Sequence, residues 1–358
     1  MAEPILSNVP GSFPESVLLH RHPAIVRQVR DAHPYPPPVR AALERLLDEV
    51  TTGVIEPDGW GRAGERWVDQ PFLWAEALFY RKLLDTVGFF GPGPWQGIDP
   101  FGPQKARELA DLPASSGSAS ASEPMPLAEL LDAALWGNRA DLGFRLQRTD
   151  APSHPDLVAD DRVALLRFLD APAGGTVCVV ADNAGAELLA DLLLIDRLLD
   201  SGAVERVELH LKPHPTFVSD ATTADLLATL AHLADGAPGR RLWTFLTEGR
   251  LAVRTHDFYT APLAYPHMPD ELRTRFADAR LTVFKGDLNY RRLVDDRHWK
   301  PTASFEQLTA YLPGPVAALR TLKSDVVVGL AEPTVAELDA AEPGWRTSGR
   351  YALVQFRP

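Results

Sequence analysis

The chain has 358 residues, of which 45% are hydrophobic and 23% charged, and this ordinary globular composition suggests two domains or one domain with a large extension. Its formal net charge of −12 argues against a general nucleic-acid-binding protein, while a local basic pocket for a small anion stays compatible with it. The one cysteine excludes an intrachain disulfide, and no apolar run approaches the ~20 residues needed to span a membrane.

The first half of the chain predicts helices and no convincing central strand. Apolar residues recur at helical spacing in four segments, which are residues 39–50, 71–87, 105–110 and 127–137. Residues 113–126 are rich in Ser, Ala and Pro, a composition that predicts a flexible loop or linker. We therefore expect residues 1–150 to form a mainly helical N-terminal region.

The second half alternates between the two kinds of element. Helical patterns are predicted at residues 160–169, 185–200, 222–233, 269–278 and 305–312. Strands are predicted at residues 176–181, 204–211, 251–258, 281–285, 316–322 and 353–356. This alternation predicts a three-layer α/β/α domain over residues 151–358, with a mostly parallel sheet covered on both faces.

Polar side chains follow four of the predicted strands at their carboxyl ends, where parallel α/β proteins bind ligands. The acidic and amide groups are Asp182, Asn183, Asp220 and Asp287, and the cations are Lys285, Arg291, Arg320 and Lys323. Hard oxygen donors suit Mg²⁺ or Mn²⁺, while cations and helix N-termini bind phosphate. The combination favours metal-assisted phosphoryl transfer.

Each of these residues also has a plainer interpretation. Asp182 and Asn183 could form only a helix cap and a turn, and Asp220 could be a cap. Arg320 and Lys323 could be solvated or ion-paired. The histidines at positions 20, 22, 210 and 214 have no third ligand at zinc-site spacing, and the sequence carries no phosphate loop and no Gly-x-Ser-x-Gly elbow. Joint occurrence at successive strand ends is what favours a functional site.

Four ordered motifs carry a family resemblance. They are Asp-Asn-Ala-Gly-x-Glu-Leu from residue 182, Phe-Val-Ser-Asp-x-Thr from 217, Lys-Gly-Asp-Leu-Asn-Tyr-Arg-x-Leu from 285 and Leu-Arg-Thr-Leu-Lys-x-Asp from 319. Together they resemble the metal-dependent damage-control phosphatase family, formerly a domain of unknown function. The Arg-Thr-x-Lys element, residues 320–323, resembles the subgroup that includes a protein described as an acidic residue methyltransferase. Looser similarity extends over nearly the whole chain.

The resemblance implies a helical N-terminal region packed on an α/β/α domain, and a divalent metal ion (Mn, Mg, Co or Ni) held by Asp182, Asn183 and Asp220. It also implies a set of ligand-binding positions, which are Glu187, Asp287, Leu288, Asn289, Tyr290, Arg291 and Lys323. The strand-end pattern adds Lys285 and Arg320 to the expected substrate-binding residues. The implied substrates are small phosphorylated metabolites, including sugar phosphates such as fructose 1-phosphate.

Three functions follow as hypotheses, of which a metal-dependent phosphatase is favoured. An S-adenosylmethionine-dependent carboxyl methyltransferase is the alternative, but the chain has no Gly-rich strand–turn motif with an acidic partner. A non-catalytic sugar-phosphate-binding module would not require the acidic pair Asp182 and Asp220.

The expected catalytic residues are Asp182 and Asp287. We expect attack by metal-bound water with Asp287 as base or orienting group, and direct attack by Asp182, giving an acyl phosphate, is the alternative. A small phosphorylated metabolite is the expected partner, with no nucleic acid, membrane or obligate protein partner. The N-terminal segment lacks the pattern of a signal peptide, which predicts a cytoplasmic location.

Overall fold

Helices dominate the N-terminal region of the computed structural model, which describes residues 2–57, 62–112, 125–137, 156–171 and 174–358. A π-helical turn, Val17–Arg21, lies between the first two of its helices. The helices are α1 Phe13–Ser16, α2 His22–Ala32, α3 Pro37–Thr52, α4 Phe72–Thr86, α5 Gly102–Ala110 and α6 Leu127–Trp136. The four predicted helices are confirmed as α3 to α6, whereas α1 and α2 were not predicted. Most of the predicted loop at 113–126 lies outside the described residues.

Local sequence explains where these helices begin and end. Pro37 starts α3, at a position where a backbone N–H would have no helical partner. Gly53 ends the same helix in the left-handed conformation, with φ of 90°. Helix α4 is apolar around most of its surface, and Leu78, Phe79 and Leu83 are each fully buried. It therefore forms the centre of the N-terminal hydrophobic core.

The second half forms one sheet with seven strands in the described residues. The strands are β1 Leu157–Asp160, β2 Thr176–Val180, β3 Arg206–Leu211, β4 Leu251–Thr255, β5 Leu281–Lys285, β6 Val316–Thr321 and β7 Ala352–Arg357. Their order across the sheet is β1-β7-β6-β5-β2-β3-β4. The strands β6, β5, β2, β3 and β4 are mutually parallel, while β7 is antiparallel to β6 and β1 is parallel to β7. The mostly parallel sheet is confirmed.

Helices cover both faces of this sheet, which confirms the three-layer α/β/α prediction. They are α7 Arg162–Asp170, α8 Ala186–Asp200, α9 Thr223–His232, α10 Ala237–Thr247, α11 Asp270–Asp278, α12 Gly286–Leu293, α13 Phe305–Thr309 and α14 Glu332–Ala341. Strand β2 shows the two-sided burial, because Val177 and Val179 pack in one hydrophobic cluster and Cys178 and Val180 in the other. The division into domains at residue 150 stays a prediction.

The chain reverses direction across the sheet at β2. From β2 it continues through α8 to β3 on one side, and it later places β5 on the other side of β2. Ligand crevices in α/β proteins form at such switch points, outside the carboxyl ends of the strands. None of the helices in the described ranges is both long enough and apolar enough to cross a membrane.

Candidate active site

The end of β2 is tied by its backbone to the loop that follows β3. The Ala221 N–H donates to the carbonyl oxygen of Asp182 over 2.9 Å. Asn183 and Asp220 form an isolated antiparallel bridge. One carboxylate oxygen of Asp220 accepts the Phe217 N–H at 2.9 Å, which fixes that side chain in turn. The structure therefore brings together Asp182, Asn183 and Asp220, the three residues that the sequence predicts as metal ligands.

A glycine lets the end of β5 approach this group. Gly286 has φ of +79°, and a Cβ built on it would lie 1.8 Å from Oδ2 of Asp182. Three residues later, Nδ2 of Asn289 donates to the carbonyl oxygens of Lys285 at 2.8 Å and Ala181 at 3.1 Å. Asn289 is fully buried, and these bonds join the start of α12 to the end of β2. Its amide nitrogen is therefore engaged within the fold.

The three predicted ligands suit a hard divalent cation. Burial raises the pKa of Asp182 well above its ordinary value, and the charges of Glu187 and Asp220 raise it further. Burial also raises the pKa of Asp220. The Nδ2 group of Asn183 donates to Asp182 at 3.1 Å and to Glu187 at 2.9 Å, which leaves its carbonyl oxygen as an acceptor. Crowded buried oxygens of this kind are stabilised by a divalent ion with a preference for oxygen ligands.

Asp287 is held by four contacts, all of them to Oδ1. Arg320 approaches it with Nε at 2.9 Å and a terminal nitrogen at 2.8 Å. The Lys323 N–H and the Ser324 hydroxyl donate to it at 3.1 Å each. Burial would raise the pKa of Asp287, but the charges of Arg320 and Arg291 outweigh burial and lower it. The carboxylate is thus fixed as an anion, and Oδ2 has no partner among the described residues.

The charges of two lysines act on the acidic group formed by Asp182 and Asp220, and neither lysine has an ion-pair partner in the described chain. Lys323 is exposed, and its charge acts on Asp182. Lys212 is 2% exposed, and its ammonium group makes no hydrogen bond to any described residue. Burial lowers the pKa of Lys212, while the charges of Asp220 and Asp182 oppose that change and favour the ammonium form. Lys212 was not among the residues predicted from the sequence, although it follows β3 directly and so carries the same strand-end signal as they do.

Lys285 ends β5 as predicted, but its side chain points toward a covering helix and not toward Asp182 and its neighbours. It points from β5 toward α8, on the same face as Leu281 and Val283. Its ammonium group lies 2.9 Å from Asp191 and 3.5 Å from Glu187, and it is 1% exposed. Burial favours the neutral amine, yet these two carboxylates hold its pKa above the ordinary value. Lys285 therefore forms ion pairs with two carboxylates of α8, and its direct contact with substrate stays a prediction.

Several other predicted substrate-binding residues are also engaged within the fold. Arg291 lies 2.6 Å from Glu76 on α4 and 2.8 Å from Asp296, and all three are buried. Leu288 and Tyr290 on the same helix are buried as well. Arg291 thereby joins the helix that carries Asp287 to the N-terminal region. The contacts of these residues with substrate stay a prediction.

A second group of metal-ligand residues lies farther back along the sheet. The ligand atoms of Cys178, Glu208 and His210 are all within 4.8 Å of one another. Glu208, however, already accepts Arg254 at 3.2 Å and Arg275 at 2.9 Å. Those guanidinium charges oppose a cation, and burial keeps Cys178 a thiol by raising its pKa to about 12. The oxygen cluster at Asp182 is therefore the better fit for a hard divalent metal.

The N-terminal helices contribute directly to the site through Lys105 on α5. Its ammonium group donates to the carbonyl oxygen of Asp220 at 2.7 Å. It also lies 2.9 Å from the Asp99 carboxylate and 3.0 Å from that of Asp225. Asp225 in turn forms a reciprocal capping box with Thr222 at the start of α9. The Asp220 loop is thus positioned from both sides, by the sheet and by the helical region.

Fold and site together define an α/β protein with a cluster of acidic and amide oxygens, accompanied by Lys212 and Lys323, at the switch point of its sheet. Residues 17–338 match the family described as the damage-control phosphatase ARMT1-like domain. The chain belongs to this damage-control phosphatase family, and the resemblance of the four motifs is confirmed.

Named relatives and a solved structure agree with this assignment. Damage-control phosphatase ARMT1 from Homo sapiens is 33% identical over 339 residues, covering 81% of this chain and 75% of that protein. The protein of the same name from Danio rerio is 31% identical over 333 residues, covering 81% and 74%. The crystal structure of a DUF89 family protein from Pyrococcus horikoshii covers 95% of this chain and 96% of its own, with a TM-score of 0.54 at 14% identity. That structural likeness supports the fold alone.

Proposed function

We propose that this phosphatase is metal-dependent and hydrolyses phosphate monoesters of small metabolites, with sugar phosphates such as fructose 1-phosphate as its substrate class. The observation that carries the proposal is the backbone pairing that draws Asp182, Asn183 and Asp220 together beside cationic Lys212 and Lys323. Oxygen ligands suit the metal and cations suit the phosphoryl group. The proposed cofactor is a divalent ion, with Mn, Mg, Co and Ni as the ions to compare.

A divalent ion held by Asp182, Asn183 and Asp220 would polarise the phosphoryl oxygens as a Lewis acid. The protein's own groups then account for the remaining steps. Asp287 is ionised and fixed through Oδ1, so its Oδ2 can accept a hydrogen from water and orient it for attack. The exposed ammonium group of Lys323 is free to bind the ester and to stabilise charge as the leaving oxygen departs.

Direct attack by Asp182 is the alternative to attack by water. Its carboxylate lies against Gly286 and accepts one hydrogen bond from Asn183, and both contacts restrict its orientation. Rapid quenching of a single turnover separates the two routes, because only attack by Asp182 forms a phosphoaspartate, which can be trapped with hydroxylamine. In H₂¹⁸O, label in Asp182 would also demonstrate the acyl phosphate, but only where water cleaves it at the carboxyl carbon and not at phosphorus.

Methyl transfer is the weaker candidate for this site. The relatives are named damage-control phosphatases and not methyltransferases. Methyl transfer requires neither a cluster of acidic oxygen ligands nor cations for a phosphate. Incubation with S-adenosylmethionine and a carboxyl-containing protein is the matching assay, and methyl ester formation at a rate comparable with phosphate release would reverse this preference.

Phosphate release from a panel of phosphomonoesters tests the proposal. The panel contains fructose 1-phosphate, other sugar phosphates and p-nitrophenyl phosphate, each assayed with Mn²⁺, Mg²⁺, Co²⁺ or Ni²⁺ and with a chelator. We expect metal-dependent hydrolysis that Asp182→Ala and Asp220→Ala each reduce by at least about 100-fold. Glu248→Ala, at an exposed carboxylate after α10, is the matched control and should be fully active. Equal activity with chelator, or in the two Asp variants, would contradict the metal assignment.

A further inference from the structure

Lys212 differs from every other strongly buried cation in the described parts of the chain. Six lysine and arginine side chains there are under 9% exposed. Five of them have hydrogen-bonding partners, and they are Lys105, Lys285, Arg291, Arg292 and Arg320. The ammonium group of Lys212 has no hydrogen-bonding partner among the described residues. A buried ammonium without a partner is unfavourable, and such a group calls for an explanation in function.

The position of Lys212 is fixed by the same backbone that forms the site. Its N–H donates to the carbonyl oxygen of Ala221 at 3.0 Å, and it bridges to Thr222. Asp220, one of the proposed metal ligands, precedes these two residues directly. The carboxylates of Asp220 and Asp182 attract the ammonium group electrostatically, but it makes no salt bridge with either of them. A gap therefore separates the cation from the oxygens it faces.

The surroundings of Lys212 offer its charge only a weak contact. Its ammonium nitrogen lies 6.0 Å from the centre of the Tyr259 ring, at the outer limit of a cation–π contact, which does not replace a hydrogen-bond acceptor. The nearby guanidinium group of Arg292 is bonded to the carbonyl oxygens of Phe258, Tyr259 and Leu263. That fixed cation repels Lys212 and so favours an anion beside the two positive charges.

We propose that Lys212 is a substrate-binding and catalytic residue whose ammonium group contacts a phosphoryl oxygen of the bound ester beside Asp182 and Asp220. The inference rests on the proposed function for the identity of this anion. A phosphoryl group there supplies the missing acceptor for the buried ammonium. The same contact offsets the negative charge that develops on the phosphoryl oxygens during hydrolysis.

Orthophosphate, the product, is the probe that tests this contact. Its dissociation constant is measured by calorimetry with saturating Mn²⁺ for the wild type and for Lys212→Met. Binding of Mn²⁺ alone is measured separately. We expect phosphate affinity to fall at least about tenfold and kcat/KM for p-nitrophenyl phosphate to fall about 100-fold or more. Mn²⁺ affinity should stay equal or increase, because a positive charge has been removed near its ligands.

Lys82→Met is the matched control. Lys82 is also largely buried, but it is paired with Glu49 at 2.7 Å within the N-terminal helices. It should leave phosphate affinity unchanged. If Lys212 only neutralises the carboxylates, Lys212→Met will leave phosphate affinity within about twofold of the wild type, whatever its effect on Mn²⁺ binding, and the proposal is then wrong.

Two outcomes separate this inference from the proposed function. A wild type that binds orthophosphate through Lys212 but hydrolyses no ester supports the inference and contradicts the proposed function. A wild type that hydrolyses esters while Lys212→Met retains its kcat/KM contradicts the inference alone. If neither Lys212→Met nor Lys212→Gln folds, wild-type crystals soaked with phosphate decide. An Nζ to phosphate oxygen distance of about 3 Å supports the contact, and a phosphate bound away from Lys212 overturns it.

Discussion

Gly286 lies so close to Asp182 that a single added methyl group cannot be placed between them. A Cβ atom at residue 286 would stand 1.8 Å from Oδ2 and 2.3 Å from the carboxyl carbon of Asp182. Neither atom belongs to the far end of a long, flexible side chain. The glycine in the Lys-Gly-Asp motif is therefore required by the site as well as by its positive φ.

We expect Gly286→Ala to abolish metal-dependent phosphatase activity, with a loss of at least about 100-fold, because it displaces Asp182. Gly202→Ala is the control, since Gly202 has φ of +71° and open space around its Cβ position. Both variants bear a left-handed strain of about 1–2 kcal/mol. Mn²⁺ binding and phosphate release are the measurements, and equal Mn²⁺ affinity in the two variants would disprove the displacement.

Arg320→Lys should lower kcat/KM by about 10- to 100-fold. Arg320 places two nitrogens on Oδ1 of Asp287 and is itself fully buried, and lysine cannot reproduce that planar pair of donors. Arg346→Lys, at a more exposed ion pair with Asp339, should behave as the wild type. Steady-state kinetics and a thermal melt decide, and the prediction fails if both substitutions leave kcat/KM unchanged.

The pair Lys285 and Asp191 lends itself to a double-mutant cycle. Removing one buried partner, as in Lys285→Met, should cost about 3–5 kcal/mol of unfolding free energy, because Asp191 is left uncompensated. Adding Asp191→Leu should restore part of that loss, because Glu187, 3.5 Å from the same ammonium group, still lacks its partner. Denaturant unfolding measures the change in stability.

The same cycle tests whether Lys285 binds substrate. With the ion pair replaced by apolar side chains, we expect KM to stay within about twofold of the wild type, since Lys285 faces α8 and not the crevice. A KM raised more than about tenfold in the double variant would support the contact that the strand-end pattern predicts.

His22 should make the fold sensitive to acid. It is stacked on Phe79 with ring centres 3.8 Å apart, and neither ring nitrogen has a hydrogen-bond partner among the described residues. Burial, helped by the charge of Arg21, lowers its pKa to about 3. Below the ordinary pKa the unfolded chain binds a proton that the folded chain does not, so stability falls as pH falls.

The loss of stability caused by His22 at low pH can be measured by comparison with His22→Phe, which has no titrating ring. Between pH 6.5 and pH 5 the wild type should lose about 2 kcal/mol more than His22→Phe. Unfolding in denaturant at both pH values gives the comparison. Parallel loss of stability in the two proteins would show that His22 is not the group responsible.

The alternation of helices and strands made the sheet predictable, because buried parallel strands appear as continuous apolar runs. Strand β5 is observed at the predicted residues, Leu281–Lys285. Strand β1 was missed because it has only four residues and lies at the sheet edge, mostly half-buried. Its direction, and that of β7, depends on pairing that no local pattern records.

The site was predictable as a set of strand ends and not as a set of contacts. Backbone pairing brings Asp220 to Asp182, which the parallel arrangement anticipates. The ion-pair partners of Arg291 are not foreseeable in this way, since Glu76 lies 215 positions away along the chain. Strand alternation could have placed Lys285 on the α8 face, because it shares that face with Leu281 and Val283.

The bond between Lys105 and the carbonyl oxygen of Asp220 joins residues 115 positions apart. During synthesis the helical region leaves the ribosome first, and the loop that it positions follows only after β2, α8 and β3 have been made. A nascent chain that stops before this loop thus contains the first two of the proposed metal ligands, Asp182 and Asn183, but not Asp220. The proposed site can therefore form only after this loop has been made.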